Sequence, residues 1–326
     1  MQNYGLTIEF MDATSRKFVL YYIVIALVIK VSFFAFLYVS NLQQAPEKYI
    51  LKGDAIEYYD FAVYLYENHA FDARRSHNTA PLYPIFLNLM LFLFGKKLWL
   101  FVVTQIVLHV LSGILCYKVA REIFSEKIAR FSAILFMLDI HLFFATFKTN
   151  TETLFIFLFL LSTLYLIRAF KQKKYRYWLI TSVLLGIAMV TRPIIFYYPI
   201  GIIILLFLCY AAPIWQKLKA VATFGVISYM ITFSWMFYNY QTYGYFQISS
   251  LKGSNLLYYH AAYTEAHKTN KTIGKIRLEF LADINKQQKD SITNPFEVSN
   301  LYQAYAVNYI NHNLGDYLEA YSQGIL

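Results

Sequence analysis

The sequence predicts an all-α integral membrane protein with about seven transmembrane helices and additional juxtamembrane helices on its outer face. Hydrophobic residues make up 58% of the 326 residues and charged residues only 15%, whereas a soluble domain carries about 25% charged residues. Apolar runs recur at the length of a membrane span, and basic residues cluster in short segments between them. This pattern excludes a soluble globular protein and a disordered chain.

The apolar runs define the predicted spans. A helix needs about 20 apolar residues to cross the hydrocarbon core of a bilayer. Seven runs meet or approach this length: 18–39, 98–117, 128–147, 153–170, 176–191, 194–212 and 219–238. A further run, 82–94, is shorter, and we place it as a juxtamembrane or re-entrant helix on the outer face.

Basic residues set the predicted orientation, because cytoplasmic loops carry an excess of Lys and Arg. Segment 168–176 holds five basic and no acidic residues. Together with 1–17, 118–130 and 211–220, it gives the predicted inner side 13 basic and 4 acidic residues, nearly all of the net charge of +10. We therefore predict a cytoplasmic N-terminus, and the charge calls for no nucleic-acid partner.

Two long segments remain on the predicted outer side, residues 40–97 and residues 241–326. We divide the chain into a polytopic membrane module, 1–240, and an outer, mainly helical segment, 241–326. The second segment carries seven basic and seven acidic residues and alternates polar with aromatic positions, which is typical of ordered helices rather than of a disordered tail.

The first outer segment contains a pair of acidic residues at helical spacing. Gly53-Asp54 is typical of a helix start, and the spacing places Asp54, Glu57 and Tyr58 on one face. Two interpretations are open: a carboxylate pair for base chemistry or a divalent cation, and a capped, solvated interfacial helix. Spacing alone favours the second interpretation, because acidic residues are common in outer loops.

Other candidate residues stand singly near the predicted outer surface. Glu152, at the start of the fourth span, is a candidate ligand or base, or a favourable charge at a helix N-terminus. Arg74, Arg75 and His77 are candidates for a phosphate clamp or for anchors to lipid head groups. Arg192 is a candidate for lipid phosphate binding or for a side chain that extends to the interface.

Two charged residues, Lys30 and Asp139, lie inside predicted spans. Charges within the bilayer are costly and suggest a function by default, but nothing in the sequence shows that these two meet. His109 and His141 are interpreted as packed or hydrogen-bonded between helices rather than as metal ligands.

Five sequence features occur in the order that is typical of the membrane glycosyltransferases of the GT-C superfamily. They are Asp54 with Tyr58 and Tyr59 in the first outer loop, a PLYP segment at 80–84, the TE motif Thr151-Glu152, a G-x-x-x-x-TRP motif from Gly186 to Pro193, and Trp235, Asn239 and Gly244. In this order the chain resembles glycosyltransferase family 39, the group of dolichyl-phosphate-mannose protein mannosyltransferases and lipid A aminoarabinose transferases.

The resemblance implies an enzyme that takes a sugar from a polyprenyl-phosphate carrier on the outer face of the plasma membrane. The sugar passes, with inversion, to a lipid, glycan or protein acceptor. The resemblance places Asp54 as the catalytic base and Glu152 as a second catalytic residue lining the site, with 40–97 as the catalytic loop. Substrate contacts are assigned to Glu57, Tyr58, Arg74, Arg75, His77, Tyr83 and Arg192. Some members bind a divalent cation, for which Asp54 and Glu152 are the candidate ligands.

The sequence departs from the family pattern at Thr79 and Tyr238, positions where a basic residue is common. Relatives continue with several more helices, so a chain ending at Leu326 is expected to be a truncated reading frame, a fragment or a minimal member. Two rival hypotheses stay open. One is a lipid-linked-sugar flippase, which Lys30 and Asp139 slightly favour, and the other is an inactive membrane scaffold.

Overall fold

The computed structural model describes residues 13–42, 49–71, 77–287 and 292–324. Helix makes up 83% of the structure and the described residues contain no strand, so the all-helical class is confirmed. The α-helices are α1 Ala13–Leu37, α2 Asp54–Asn68, α3 Leu82–Phe94, α4 Leu98–Ile123, α5 Glu126–Leu138, α6 Ile140–Ala145, α7 Glu152–Gln172, α8 Tyr175–Met189, α9 Tyr198–Cys209, α10 Ile214–Tyr243, α11 Leu251–Asn255, α12 Ala262–Thr269, α13 Ile273–Gln287, α14 Pro295–His312 and α15 Leu314–Ser322.

Contacts divide these helices into two compact units. The first unit comprises the described parts of Met1–Phe71 and Pro81–Thr232, and the second those of Asp72–Ala80 and Phe233–Leu326. Helix α10 contributes its last turns to the second unit. The predicted division of the chain into a membrane module, 1–240, and an outer segment, 241–326, stays a prediction.

Among the described residues, four helices are long and apolar enough to cross a membrane. They are Ala13–Ser40, which continues α1, Leu98–Ile123, Glu152–Gln172 and Ile214–Tyr243. Three apolar helical segments are shorter, namely Leu82–Phe94, Tyr175–Met189 and Pro193–Cys209. The apolar helices agree with a multi-pass membrane protein, while the count of seven spans and the juxtamembrane placement of Leu82–Phe94 stay predictions.

Helix α1 carries an apolar stripe that no other described part of the chain covers. Leu20, Val24 and Val28 follow one another at four-residue spacing, and each is half or more exposed. Residues four apart share one face of a helix. Lipid chains in a bilayer would cover such a face, whereas water would not solvate it well.

The predicted third span, 128–147, is not one continuous helix. It divides at Asp139 into α5 and α6, because the Asp139 backbone is extended and its Oδ1 accepts a hydrogen bond from the Leu142 amide at 2.7 Å. An Asp side chain competes with the helical backbone and favours such N-cap positions. The pattern of apolar residues in the sequence did not predict this break.

At one end of the first unit, charged side chains join the ends of successive helices. Glu122 of α4 forms ion pairs with Arg168 and Lys171 of α7, each at 3.1 Å. Glu126, which opens α5, pairs with Arg130 at 2.8 Å and with Arg121 of α4 at 3.4 Å. The structure thus brings together 118–130 and 168–176, two of the segments that the charge pattern assigns to the inner side.

Two glycines allow close packing between helices of the first unit. A Cβ on Gly113 of α4 would lie 1.7 Å from the Tyr22 hydroxyl of α1. A Cβ on Gly186 of α8 would lie 2.9 Å from the Ser228 carbonyl oxygen of α10. The glycine that opens the TRP motif is therefore explained by helix packing.

The second unit has its own core and a close helix crossing. The core includes Leu257, Ile276, Phe280 and Ala306. At the crossing of α11 and α14, the Gly253 amide donates to Ser299 Oγ at 3.0 Å. A Cβ at Gly253 would meet the Ser299 carbonyl oxygen at 1.7 Å, so only glycine fits there.

Gly253→Ala is expected to destabilise the protein by about 1–3 kcal/mol, because backbone of α14 must move to admit the methyl group. Gly274→Ala, in α13, is the matched control, since nothing lies within 4 Å of a Cβ there. Thermal unfolding in detergent should show a lower midpoint for Gly253→Ala alone. Equal midpoints for the two variants would contradict this packing.

Candidate active site

An ion pair joins two of the sequence motifs at one end of the first unit. The ion pairs of Glu122 with Arg168 and Lys171 lie at the opposite end. Arg192 of the TRP motif places its Nη1 2.8 Å from Oε1 of Glu152, the first residue of α7. The two side chains are 35% and 21% exposed, so both are accessible from this end yet partly shielded. The Arg192 guanidinium also lies 6.0 Å from the Phe155 ring centroid.

Glu152 has an acceptor atom to spare. Its Oε1 is paired with Arg192, while its Oε2 is buried and has no hydrogen-bond partner among the described residues. Asn150 Oδ1, two residues earlier, is also buried without a partner there. Buried acceptors are costly when left unpaired, so this turn offers hydrogen-bond acceptors to a ligand that carries hydroxyl donors.

The PLYP segment is attached to the same region by backbone and aromatic contacts. The Leu82 amide donates to the Val190 carbonyl at 3.2 Å, two residues before Arg192. Tyr83 is wholly buried and packs edge-to-face against Tyr58, with ring centroids 5.3 Å apart. Tyr58 belongs to α2, so the predicted outer loop and the PLYP segment meet through this pair.

The charges of the site act together on Tyr58. Burial and, to a smaller extent, the nearby Asp54 carboxylate raise the pKa of Tyr58 to about 12. Arg192 opposes this increase in the pKa, while Glu152 and Glu57 add to it. Three carboxylates and one guanidinium therefore act on one phenol, which keeps its proton at neutral pH and remains a hydrogen-bond donor.

Asp54 is the first residue of α2 and is exposed. The helix starts where the sequence predicts. Its N-cap is Gly53, which has no side chain to cap the helix. Gly53 has a φ of 66°, a left-handed conformation that favours glycine. The Asp54 carboxylate thus benefits from the helix dipole and stays open to a substrate.

Gln105 was not predicted from the sequence as a site residue. This α4 side chain is 1% exposed. Its Nε2 donates to the Tyr83 hydroxyl at 2.7 Å and to the Asn150 carbonyl at 3.2 Å, and its Oε1 accepts from the Thr153 hydroxyl. One signal was available, namely an amide side chain within an otherwise apolar run that must find internal partners.

The remaining predicted substrate contacts are distributed differently. Arg74 and Arg75 lie outside the described residues. Glu57 lies in the first turn of α2 and is exposed. His77 belongs to the second unit, where its Nδ1 lies 2.9 Å from Ser250 Oγ, which donates to Asn78 Oδ1 at 2.9 Å. The roles of all four in substrate binding stay predictions.

The His77 contact predicts a pH dependence of stability. Burial lowers the pKa of His77 below its ordinary value of 6.5, against a smaller opposite effect of its bond with Asn78. The unfolded chain therefore takes up a proton before the folded protein does, and stability is lost as the pH falls below 6.5. Between about pH 7.5 and 5.5 the unfolding midpoint should fall more in wild type than in His77→Gln. An equal fall would contradict this contribution.

The W-x-x-x-N motif holds the chain that follows α10. Trp235 Nε1 donates to the Ile248 carbonyl at 2.9 Å, and Asn239 Nδ2 donates to the Gln247 carbonyl at 2.7 Å. Gly244, just after the helix, has a φ of 81°. All three residues therefore serve the turn that follows the helix.

Lys30 and Asp139 do not contact each other through any described hydrogen bond or ion pair. Lys30 is 1% exposed, donates to Thr146 Oγ1 at 3.2 Å and lies 4.3 Å from the Phe143 ring centroid. Asp139 caps α6. Each residue therefore has contacts of its own, and the flippase hypothesis stays a hypothesis.

A cation site is not apparent in the described parts of the chain. No group of three or more His, Cys, Asp or Glu side chains suited to a metal ion occurs there, and Oε1 of Glu152 is taken by Arg192. Cation binding by Asp54 and Glu152 stays a prediction, and no chemical step below depends on it.

Comparison with known proteins finds a match for the central part of the chain. Residues 78–238 match the family model of the dolichyl-phosphate-mannose-protein mannosyltransferases. The resemblance inferred from the motifs is confirmed. The match covers just under half of the chain and includes Tyr83, Glu152 and Arg192, whereas Asp54 precedes it. No curated protein and no solved structure matches the chain significantly. The family implies a membrane glycosyltransferase of the GT-C type.

Proposed function

We propose that this mannosyltransferase-like protein transfers a sugar from a polyprenyl-phosphate carrier to a lipid, glycan or protein acceptor, with inversion. The observation that supports it best is the Arg192–Glu152 pair. A guanidinium, which matches phosphate geometry, stands there beside a carboxylate with a spare acceptor atom, suited to sugar hydroxyls. Around the pair lie Tyr58 and Tyr83 from two other family-like motifs.

The proposed reaction begins with the acceptor. Asp54 removes the proton from the acceptor hydroxyl, whose oxygen attacks the anomeric carbon from the side opposite the phosphate. The bond between the anomeric carbon and the phosphate oxygen breaks, and its electron pair leaves with polyprenyl phosphate. A positioned base contributes about 10²–10⁴-fold to such a step. The leaving phosphate is a weak base, so no acid catalyst is required.

Arg192 and Glu152 take complementary parts in this proposal. Arg192 donates hydrogen bonds to the phosphate as its negative charge grows, an effect worth about 10²–10³-fold per donor in comparable sites. Glu152 holds the guanidinium through Oε1 and accepts a sugar hydroxyl through Oε2. The Tyr58 hydroxyl, protonated at neutral pH, supplies a further donor near the reacting groups.

The proposed location follows from the charge pattern. With a cytoplasmic N-terminus, the Glu122 end of the first unit faces the cytoplasm. The Arg192–Glu152 end then faces the outer side of the plasma membrane, where the carrier presents its sugar. The exposed apolar face of α1 and the shorter apolar helices would contact lipid and the polyprenyl tail.

The donor class is testable with purified protein in lipid vesicles. We expect release of free polyprenyl phosphate from at least one polyprenyl-phosphate sugar in a panel, and no reaction with nucleotide-linked sugars. Transfer from a nucleotide sugar would contradict the proposed donor. A scrambling assay on the same vesicles tests the flippase alternative, since movement of labelled donor between leaflets without release would support that rival.

A further inference from the structure

We propose that Gln105 is a positioning residue that sets the geometry of Glu152 and Tyr83 from within α4, an inference that rests on the proposed function. Gln105 lies two turns into a candidate membrane-spanning helix, in an apolar run, and is 1% exposed. An amide in such surroundings is unfavourable unless its hydrogen bonds are made inside the protein. The partners of these hydrogen bonds therefore indicate the role of Gln105.

Gln105 contacts two separate segments of the chain rather than its own helix. Its Nε2 donates to Tyr83 Oη at 2.7 Å, at the start of α3. The same nitrogen approaches the Asn150 and Lys148 carbonyl oxygens at 3.2 and 3.4 Å, in the turn before α7. Its Oε1 accepts from the Thr153 hydroxyl. Gln105 thus holds the chain on both sides of Glu152.

The contacts of Gln105 form two arms. One leads to Glu152, and the other leads through Tyr83 and Tyr58 toward Asp54. Between Asn150 and Thr153, Glu152 pairs with Arg192 at 2.8 Å. On the other arm, Tyr83 packs against Tyr58, which lies one helical turn after Asp54. A shift of about 1 Å in such groups can cost about 100-fold in rate. Gln105 touches no reacting atom, so its effect passes through these neighbours.

Another buried polar residue of α4 provides a matched control. Ser112 is also 1% exposed, but its hydroxyl donates to the Leu108 carbonyl of its own helix at 2.8 Å. Tyr117 controls for the Tyr83 hydroxyl, because it bonds Glu126 at 2.8 Å at the far end of α4. Both are polar contacts of the same helix away from the proposed site.

The test compares Gln105→Leu, Tyr83→Phe and their double variant with the controls Ser112→Ala and Tyr117→Phe. For Gln105→Leu we expect kcat for polyprenyl phosphate release to fall about 100-fold with little change in KM for the donor. The double variant should lose less than the product of the two single losses, because both remove one shared contact. The controls should keep the wild-type kcat.

Hydrogen exchange gives a readout that does not depend on activity. Amides of the first turns of α3 and α7 should exchange faster in Gln105→Leu than in wild type and Ser112→Ala. Unchanged exchange, or faster exchange with wild-type kcat, would overturn the positioning role. If wild type releases nothing from any donor while exchange rises as expected, the proposed function fails and the structural tie through Gln105 stands.

Discussion

Asp54→Asn is expected to reduce sugar transfer by about 10²–10⁴-fold, because the amide cannot take the proton of the acceptor hydroxyl. The folded structure should survive the change. Asp54 is exposed at the start of α2, and the N-cap of this helix is Gly53 rather than Asp54. The measurement is the rate of polyprenyl phosphate release at saturating donor and acceptor, together with the unfolding midpoint in detergent.

Asp60→Asn is the matched control for this prediction. Asp60 lies on the same helix, is also exposed and carries the same charge, but it is turned away from the face shared by Asp54 and Tyr58. It should retain the wild-type rate. Equal rates for wild type and Asp54→Asn would remove Asp54 as the base, and equal losses in both variants would point to a general charge effect.

Arg192→Leu is expected to reduce the rate by about 10²–10³-fold, because the departing phosphate loses hydrogen-bond donors. Arg192→Lys should recover little of this, since an ammonium cannot reproduce the planar fork of a guanidinium. Arg168→Leu is the control. Arg168 is 32% exposed and pairs with Glu122 at 3.1 Å at the other end of α7, so it tests the loss of a similar ion pair away from the site.

A charge exchange separates the structural from the chemical role of this pair. Glu152→Arg combined with Arg192→Glu restores an ion pair and should restore the unfolding midpoint that either single change lowers. The rate should stay low, because the guanidinium then sits on α7 and the carboxylate on the TRP motif. Recovery of the rate in the double variant would show that the pair serves folding only.

Much of the helical architecture follows from the sequence because burial in lipid imposes a simple pattern. Runs of apolar residues marked α1, α4, α7 and α10, and the basic residues of 168–176 marked a common end. The break at Asp139 was not predicted, because a single polar residue hardly changes the mean hydropathy of an apolar run. In the structure this residue nevertheless caps a new helix. The predicted fifth and sixth spans, 176–191 and 194–212, already separate at Arg192-Pro193, and α8 and α9 lie on either side of this turn.

The candidate site was predictable where a motif carried it and not where packing did. The motif order singled out Glu152, Arg192 and Tyr83, and the structure brings them into one region of the first unit. Gln105 belongs to no motif, and only the fold shows that it bonds two separate segments at once. The sequence made His77 a candidate for a phosphate clamp or a lipid anchor, but its partner Ser250 lies 173 residues away, beyond the reach of local pattern.

The central claim is that this chain releases polyprenyl phosphate through a site built around Arg192 and Glu152. Its most direct test is single-turnover release from a reactive donor in lipid vesicles, compared among wild type, Asp54→Asn, Arg192→Leu and Arg168→Leu. The account predicts rapid release by wild type and Arg168→Leu and almost none by the other two. Similar release by all four variants, or no release by well-folded wild type from any donor, would contradict it.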